Sequence, residues 1–333
     1  MNLPDRIPTA LAELASPASE ASADPLQERY GRFLIETLDP LTIDSAPDLY
    51  WPKWTAPWWT LSLISELGMT PQIPPGILLQ FTSRVDRSVL HTFPIQESEL
   101  PPGCDPYRHI LCFCALGTLC RILAEASIDM REHLSWTADW FERYQLPDGG
   151  WNCDEAVYLK AHAHSSILST VVMMEALTGL IRLRIGSASE RGVLERAIRY
   201  LVKHRIIRRS DGSLIDPNWL RPAWPSFYFY DLLRGISALA DACDAIGMRI
   251  PRDPTIESLD LLNTFFKHRP WSIRRDAENA GSLVIETGSW SWNQSAAAFR
   301  IPDFVKVSEV VTDAVNRRIR RLLEILERQD WHR

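Results

Sequence analysis

The chain has 333 residues, of which 46% are hydrophobic and 23% are charged, as in an ordinary globular protein. Its 42 acidic and 36 basic side chains give a net charge of −6, which argues against a nucleic-acid partner because such proteins usually carry a basic face. The combination of 13 Trp and 23 Pro with only 15 Gly favours helices joined by rigid corners over a β-sandwich or a dinucleotide-binding fold.

The first segment, residues 1–25, is rich in Ala, Ser and Pro and is expected to form a loose arm ahead of a single domain over residues 26–333. It lacks the continuous apolar block of a signal peptide. The chain as a whole has no run of about 18 uncharged apolar residues, the length that a transmembrane helix needs. The expected location is therefore cytoplasmic.

Helical periodicity begins after this arm and recurs along the chain. Apolar side chains spaced three or four positions apart predict helices near residues 25–38, 57–67, 109–124, 134–144, 164–185, 194–205, 227–246, 258–268 and 309–329. No alternating stretch longer than four residues predicts a strand. This pattern predicts an all-α protein of about nine or ten helices.

Turns of related sequence lie between several of the predicted helices. Residues 145–151 read QLPDGGW, residues 209–213 read RSDGS and residues 288–290 read GSW. A helical hairpin repeated with a long period indicates a solenoid or a closed ring of helix pairs. Because the Trp residues are spread throughout and the last helix is amphipathic, we expect a single α/α toroid, or barrel.

The segment QLPDGGW matches the QW motif, QxxDGGW, of the terpenoid cyclase and protein prenyltransferase superfamily. Residues 224–235, WPSFYFYDLLRG, also resemble a stretch of its small bacterial members with squalene cyclase-type repeats. The resemblance covers roughly residues 57–292. It implies an α/α barrel with an aromatic-lined central cavity, and an enzyme of isoprenoid or other hydrophobic small-molecule metabolism. Within the motif, Gln145, Asp148 and Trp151 are expected to be structural, with Asp148 accepting hydrogen bonds from local amides.

The chain departs from the superfamily in its acidic motifs, because neither DxDD nor DDxxD is present. Two alternatives to a cyclase or prenyltransferase therefore stay open. One is a non-catalytic barrel that binds a lipid or a protein. The other is a carbohydrate-active α/α barrel, in which Asp148 with Asp154, or Asp154 with Glu155, would be the paired carboxylates.

The polar segment after the QW motif is the first candidate site, because it precedes an apolar helix whose start would face the cavity. In one interpretation Asp154 or Glu155 is a general acid whose pKa is raised by apolar surroundings, with His164 as its partner and Cys153 beside it. In another, Cys153, Asp154 and His162 bind a divalent zinc or iron ion. In the third, the segment is a solvated loop that caps the helix near His164.

The second candidate site is the aromatic wall of the expected cavity, since aromatic faces stabilise cations. Tyr230 and Arg234 fall on one helical face and would orient a phosphate or carboxylate there, unless Arg234 points outward and pairs with Asp231. Each ring could instead pack in the core. The candidate substrate-binding residues are Trp58, Trp59, Phe113, Trp151, Trp224, Phe227, Tyr228, Tyr230 and Arg234.

A dense group of indoles, Trp51, Trp54, Trp58 and Trp59, is too apolar for a solvated loop. It predicts either a lid over one end of the barrel or a peripheral membrane contact, although no basic cluster accompanies it.

The six cysteines contain no CxxC pair, and three of them, Cys112, Cys114 and Cys120, lie in one apolar helical stretch. They are expected to be reduced core thiols.

Overall fold

A computed structural model describes residues 8–15, 25–183, 188–268, 271–279, 281–294, 299, 307–329 and 331. The fold of these residues is mainly helical. The helices are α1 (Thr9–Ala15), α2 (Pro25–Thr37), α3 (Pro40–Ser45), α4 (Pro57–Glu66), α5 (Pro75–Ser88), α6 (Pro106–His109), α7 (Phe113–Glu125), α8 (Met130–His133), α9 (Trp140–Arg143), α10 (Ile167–Leu183), α11 (Ala188–Lys203), α12 (Leu232–Ile246), α13 (Arg252–Lys267) and α14 (Val307–Arg328). Two strands, β1 (Ser282–Glu286) and β2 (Ser289–Asn293), form an antiparallel hairpin.

Prolines and aspartates set the starts of many helices. Five helices in the first third of the chain, α2 to α6, begin with Pro, whose missing N–H is not needed in the first helical turn. Asp231 caps α12, and its Oδ1 accepts the backbone N–H of Arg234 at 2.8 Å. This cap explains why α12 begins at Leu232 although the apolar pattern predicted a start at residue 227.

Five helices pack in the order α4, α7, α10, α12, α14, of which the first four are apolar and α14 is amphipathic. The α7–α10 pair is very close, because a Cβ added at Gly117 would lie 2.9 Å from the carbonyl oxygen of Val172. At the other end of the series, an Arg317 guanidinium nitrogen of α14 donates to the carbonyl oxygen of Glu66 in α4 at 3.0 Å. Three further helices pack beside this series: α2 packs on α4, α11 on α10 and α13 on α12.

Two groups of salt bridges link these five helices. Arg234 of α12 donates to Glu175 of α10 at 2.9 and 2.8 Å. Arg121 of α7 lies 3.8 Å from Glu175. Arg318 of α14 lies 3.5 Å from Glu66 of α4. The interior of the helix assembly is therefore partly filled by salt bridges.

The predicted loose arm is wrong for the part of it that the structure describes. Residues 9–15 form α1, which packs against α13 and α14. Leu11 and Leu14 are buried, and the backbone N–H of Ala10 donates to Asn263 Oδ1 at 3.1 Å. The apolar spacing of this short helix was hidden by the surrounding Ala, Ser and Pro. The remainder of the arm before residue 25 lies outside the described residues.

Two further predicted elements differ. Residues 134–144 are not one helix, because a 3-10 turn at Ser135–Thr137 precedes the short α9. The absence of strands was also wrong, since β1 and β2 pair in register from Ser282↔Asn293 to Glu286↔Ser289. Thr287 and Gly288 connect them with positive φ values of 51° and 85°, as in a tight hairpin turn. The GSW segment is therefore part of a hairpin and not a third interhelical turn.

One stretch, Pro106–Glu125, passes a length and hydropathy test for a membrane span. Of the 18-residue window that meets it, 56% is buried inside the protein. The stretch is also divided into α6 and α7 by residues 110–112.

Candidate functional site

The QW segment is a structural brace, as expected. Gln145 Nε2 donates to the carbonyl oxygens of Gly149 at 2.8 Å and of Val193 in α11 at 2.9 Å. Asp148 accepts the backbone N–H of Ser165 at 2.9 Å and the Ser165 hydroxyl. The Trp151 indole N–H donates to the Phe141 carbonyl oxygen at 3.1 Å. These bonds tie α9, α11 and the start of α10 to one turn.

Trp151 is fully buried within this brace, so its predicted contact with a substrate is wrong. Phe113 is also fully buried and lies in a second aromatic group, with ring centroids 4.5 Å from Phe93 and 5.6 Å from Tyr144. Tyr230 is buried as well, and its hydroxyl donates to the Ile206 carbonyl oxygen at 2.8 Å. These three rings hold the core together instead of facing a ligand.

The group of four indoles is buried too, and therefore offers no exposed apolar patch for a membrane. Trp54 stacks on Phe227 with centroids 5.0 Å apart, and Trp59 meets Trp54 at 4.4 Å. Tyr228 closes this group at 6.0 Å from Trp59. Most of the ring surface of the expected wall residues here is therefore covered by other aromatic rings. These residues are Trp58, Trp59, Phe227 and Tyr228.

Arg234 is not available to orient a phosphate or carboxylate. Its guanidinium is bound by Glu175, and it also donates to the carbonyl oxygens of Phe227 and Phe229, each at 2.9 Å. Burial would lower the pKa of Arg234, but the Glu175 carboxylate raises it above its usual value. The outward pairing with Asp231 is equally wrong, because Asp231 is fully buried and caps α12.

Trp224 lies beside a small cavity of about 210 Å³ that also borders Glu66, Arg121 and Arg317. Its indole N–H is buried without a hydrogen-bond partner in the described part of the chain. Its prediction as a wall residue therefore stays open, but for a polar cavity instead of an aromatic one.

A larger cavity of about 580 Å³ opens beside the start of α7. Tyr50, Trp51, Trp58, Phe93 and Leu111 supply its apolar wall. Three arginines and two acidic side chains also line it: Arg84, Arg87, Arg108, Asp48 and Glu155. Trp58 is the one predicted substrate-binding aromatic that borders this cavity, and its buried indole N–H finds no partner among the residues described.

The three arginines that line the cavity differ in how many hydrogen bonds and ion pairs they make within the protein. Arg84 donates to three backbone carbonyl oxygens, at 3.3, 2.6 and 2.7 Å. Arg108 lies 3.3 Å from Asp48 and stacks 4.5 Å above the ring centroid of Trp290. Arg87 donates to the Ser83 hydroxyl at 2.7 Å and has no acidic partner in the described ranges. Arg87 is thus the cation best placed to meet an anionic group.

Cysteine thiols form one edge of the same cavity. Cys112 and Cys153 line it, and the Sγ atoms of Cys114 and Cys153 are 3.2 Å apart. The Ser169 hydroxyl of α10 donates to Cys153 Sγ at 3.3 Å. We call Cys112, Cys114 and Cys153 the thiol cluster. The expectation of reduced core thiols is confirmed for Cys114 and Cys120, which are free and buried, whereas Cys112 is free but only partly buried.

The thiol cluster has one sulfur that favours the thiolate and two that keep their protons. Hydrogen bonds from Cys114 and Cys153 lower the pKa of Cys112 well below its usual value, and the backbone N–H groups of Ala115 and Cys114 add to this effect. Donation to Cys112, together with burial, raises the pKa of Cys114 and raises that of Cys153 to about 12. Cys112 is also the N-cap residue of α7, where helical N–H groups favour an anion.

Lys53 supplies a cation near this cluster. Its Nζ donates to the Tyr228 hydroxyl at 3.1 Å and lies 5.4 Å from the ring centroid of Trp51. Burial lowers the pKa of Lys53, and the negative charge on Cys112 opposes that shift. The predicted residue Tyr228 therefore acts here as a partner of Lys53.

The predicted acid–base group is not assembled as expected. Asp154 is exposed and caps a 3-10 turn, accepting the backbone N–H of Ala156 at 3.0 Å. His164 is exposed, and its carbonyl oxygen accepts from the Asn152 side chain at 2.9 Å. Asp154 therefore lies at the surface and not in the apolar site that the interpretation required. Glu155 is exposed too but borders the 580 Å³ cavity, so it stays a candidate.

The predicted metal set is wrong for a related reason. Cys153 turns toward the thiol cluster, whereas Asp154 and His162 are exposed on the loop. Within the described ranges, no group of three His, Cys, Asp or Glu side chains is arranged to hold a metal ion. The residues present therefore do not fit a zinc or iron site at these positions.

An Asp-x-Cys triplet, the spacing of the zinc ligands in protein prenyltransferases, is present in the sequence at Asp241 and Cys243. Asp241 pairs with Arg182 at 2.9 Å and with Arg321 at 3.1 Å. Cys243 is fully buried on another face of α12, and burial raises its pKa to about 12. The two side chains therefore do not converge on a zinc ion.

Sequence reasoning missed the pairing of Cys112 and Cys114 with Cys153. A local signal was present, because a cysteine directly before an apolar helix is placed to accept its first N–H groups. The contact with Cys153 had no local signal, since it depends on the packing of α7 against α10.

Comparisons of the chain with protein-family models, with curated proteins and with solved structures give no match.

Proposed function

We propose that the protein is an α/α toroid that binds an elongated apolar small molecule with an anionic end, as in isoprenoid metabolism. The observation that carries the proposal is the 580 Å³ cavity, whose size is typical of small-molecule sites. Its aromatic and aliphatic wall suits an apolar chain. The Arg87 guanidinium and the unpartnered Trp58 indole N–H suit an anionic or polar end.

The neighbour order of these five helices supports the toroid. Each of α4, α7, α10 and α12 packs on the next, α12 packs on α14, and Arg317 and Arg318 link α14 back to Glu66 in α4. The cavity lies at the N-terminal ends of α4 and α7, where Trp58 and Cys112 are found. In such a ring, a ligand would enter at the mouth to which these helix starts point.

Cyclisation or prenyl transfer is the reaction class that the QW resemblance suggests for this cavity. Glu155 and Cys112 are among the side chains on its lining that could exchange a proton or act as a nucleophile. A barrel that binds the same ligand without converting it uses the same cavity, and the experiment below separates the two by measuring product.

Isothermal titration with farnesyl diphosphate, farnesol and maltotetraose tests the proposal. We expect the diphosphate to bind more tightly than the alcohol, and the sugar not to bind. Arg87→Gln should weaken diphosphate binding about tenfold, as for the loss of one charge-assisted hydrogen bond of about 1.5 kcal/mol. The same change should leave farnesol binding unaltered. Arg199→Gln, in an exposed side chain of α11, is the matched control.

A cavity-filling variant supplies the second arm. Ala115 is buried on α7 and lines the cavity, so Ala115→Phe should abolish binding of both isoprenoids while the fold remains. Chromatography of the incubated ligand separates turnover from binding alone. Equal affinities of wild type and Ala115→Phe, or tight binding of maltotetraose alone, would refute the proposal.

A further inference from the structure

The thiol cluster has features that ligand binding does not require. Three thiols from two distant segments meet at one edge of the cavity, and Cys114 and Cys153 are already in contact at 3.2 Å. Thiols brought this close are placed for disulfide exchange, which proceeds by attack of one sulfur on another. Of the remaining cysteines, Cys104 lies on a surface loop and Cys120 and Cys243 are fully buried elsewhere.

The three thiols differ in access to the cavity. Cys112 and Cys153 line it and are partly exposed, whereas Cys114 is buried behind them. A reagent in the cavity therefore meets Cys112 or Cys153 first. Cys112 stands at the N-cap position of α7, where the helix N-terminus favours an anion, and its neighbours in the thiol cluster lower its pKa, so it is the thiol best placed to react as a thiolate.

The cavity wall limits what can reach this thiolate. Tyr50, Trp58, Phe93 and Leu111 present aromatic and aliphatic surface around the sulfur atoms. A protein disulfide is too large for this space, and the apolar part of its lining adds nothing to the binding of a small hydrophilic oxidant. A small organic molecule with an electrophilic oxygen is the reagent that the wall favours.

We propose that Cys112, Cys114 and Cys153 form a redox centre that reduces an organic hydroperoxide bound in this cavity. The Cys112 thiolate attacks the terminal peroxide oxygen, the O–O bond breaks, and the alkoxide takes a proton from water to leave as the alcohol. Cys112 is then a sulfenic acid. Two electrons have passed from sulfur to the peroxide.

Cys153 resolves the sulfenic acid. Its thiol attacks the Cys112 sulfur, the S–O bond breaks, and the released hydroxide takes the Cys153 proton to leave as water. Cys114 then attacks the Cys153 sulfur and releases its own proton to water, while Cys112 leaves as a thiolate, because a thiol of low pKa is the better leaving group. The product is a Cys114–Cys153 disulfide, the pair that is 3.2 Å apart in the reduced protein. An external dithiol restores both thiols and is itself oxidised to a disulfide.

This proposal uses the geometry of the cavity but does not depend on an anionic end of the ligand. Its failure is therefore separate from a failure of isoprenoid binding. Because Ala115→Phe blocks the same space, that variant should slow hydroperoxide reduction even if farnesyl diphosphate does not bind.

The test follows consumption of cumene hydroperoxide by the full-length protein with dithiothreitol as the dithiol. Hydrogen peroxide is the comparison, and we expect the organic peroxide to react at least tenfold faster. Peptide mapping of protein oxidised without dithiothreitol should find the Cys114–Cys153 disulfide. Equal rates with both peroxides would overturn the role of the cavity, and absence of this disulfide would overturn the relay.

Three serine variants identify the steps. Cys112→Ser should lose turnover completely. Cys153→Ser should accumulate the Cys112 sulfenic acid, trapped by dimedone, and Cys114→Ser should stop at a Cys112–Cys153 disulfide. Cys104→Ser, outside the cluster, is the control and should keep the wild-type rate. Turnover by Cys112→Ser at the wild-type rate would overturn the proposal, and peptide mapping of wild-type protein keeps the test valid if a variant fails to fold.

Discussion

Removal of the carboxylate that faces Arg234 is the sharpest test of how the interior is held together. The Arg234 side chain is only 3% exposed, and that of Glu175 is 17% exposed. Two hydrogen bonds of 2.9 and 2.8 Å join them, and Arg234 also donates to two carbonyl oxygens. We expect Glu175→Met to leave the guanidinium buried with no carboxylate against it.

The cost of this change follows from the burial. Breaking a buried ion pair by removing one partner typically costs about 3–5 kcal/mol, because the remaining charge keeps its desolvation penalty. Arg121 keeps Glu125 at 2.5 Å, so only one guanidinium loses its main partner. We therefore expect Glu175→Met to lower the free energy of unfolding by about 3 kcal/mol.

The double variant Glu175→Met with Arg234→Met separates charge from packing. It removes both charges and leaves two buried carbonyl oxygens without their donors, at about 1 kcal/mol each. The double variant should therefore lose about 2 kcal/mol and be more stable than Glu175→Met alone.

Urea unfolding followed by tryptophan fluorescence measures these differences. The control is Glu195→Met, whose pair with Arg199 is 3.1 Å long but has side chains 44% and 70% exposed. It should cost less than about 0.5 kcal/mol. If Glu175→Met costs no more than Glu195→Met, or if the double variant is less stable than both single variants, the argument from burial is refuted.

Three other predictions concern pH, the QW turn and the first helix. Burial alone would raise the pKa of Glu175, but Arg234 holds that pKa below its usual value. The ionised Glu175 carboxylate therefore stabilises the fold above about pH 4.5, and this stabilisation is lost as the pH falls further. Acid titration should destabilise wild type more steeply than Glu175→Met. Gly149→Ala should cost about 2–3 kcal/mol in urea unfolding, because φ is +103° and a Cβ would lie 2.5 Å from a carbonyl oxygen of α11. Gly212→Ala, at φ +83° with no atom within 4 Å, should cost only about 1 kcal/mol, and equal costs would contradict the clash. Leu11→Ala should cost about 2–4 kcal/mol because this side chain is 1% exposed, whereas Leu41→Ala, at 76% exposure, should change thermal stability little; equal melting temperatures would contradict the docking of α1.

The sequence predicted what local physics determines. Apolar periodicity located the long helices, and the glycine pair with Asp148 predicted a hydrogen-bonded turn, because these preferences act over a few residues. The β1–β2 hairpin escaped notice because its Ser and Trp alternation is mostly exposed and lacks a clean apolar face. The short α1 was missed because a seven-residue helix is held by its contacts with α13 and α14 and not by its own sequence.

The candidate site depended more on tertiary contacts than the fold did. Residue type made Asp154 and His162 attractive, but both are exposed, and no sequence pattern states whether a loop side chain points to solvent. Tyr230 and Arg234 do not share a helical face, because α12 begins only at Leu232, and the Arg234 guanidinium is paired with Glu175, which lies 59 positions away in the sequence. The expected wall residues were also misplaced by contacts that the local sequence does not show. Trp54 and Phe227, for example, are far apart in the sequence but stack on each other in the fold.

The QW turn and the thiol cluster are parts of one construction. The Trp151 carbonyl oxygen accepts the backbone N–H of Ser166, which fixes the chain just before α10 begins. Two residues after Trp151, the backbone N–H of Cys153 donates to Ser169 of α10 at 3.3 Å. Because α7 and α10 pack closely at Gly117, the start of α7 brings Cys114 against the sulfur held by this loop. The QW turn, whose own residues are structural, therefore helps to set the distance between the Cys114 and Cys153 sulfur atoms.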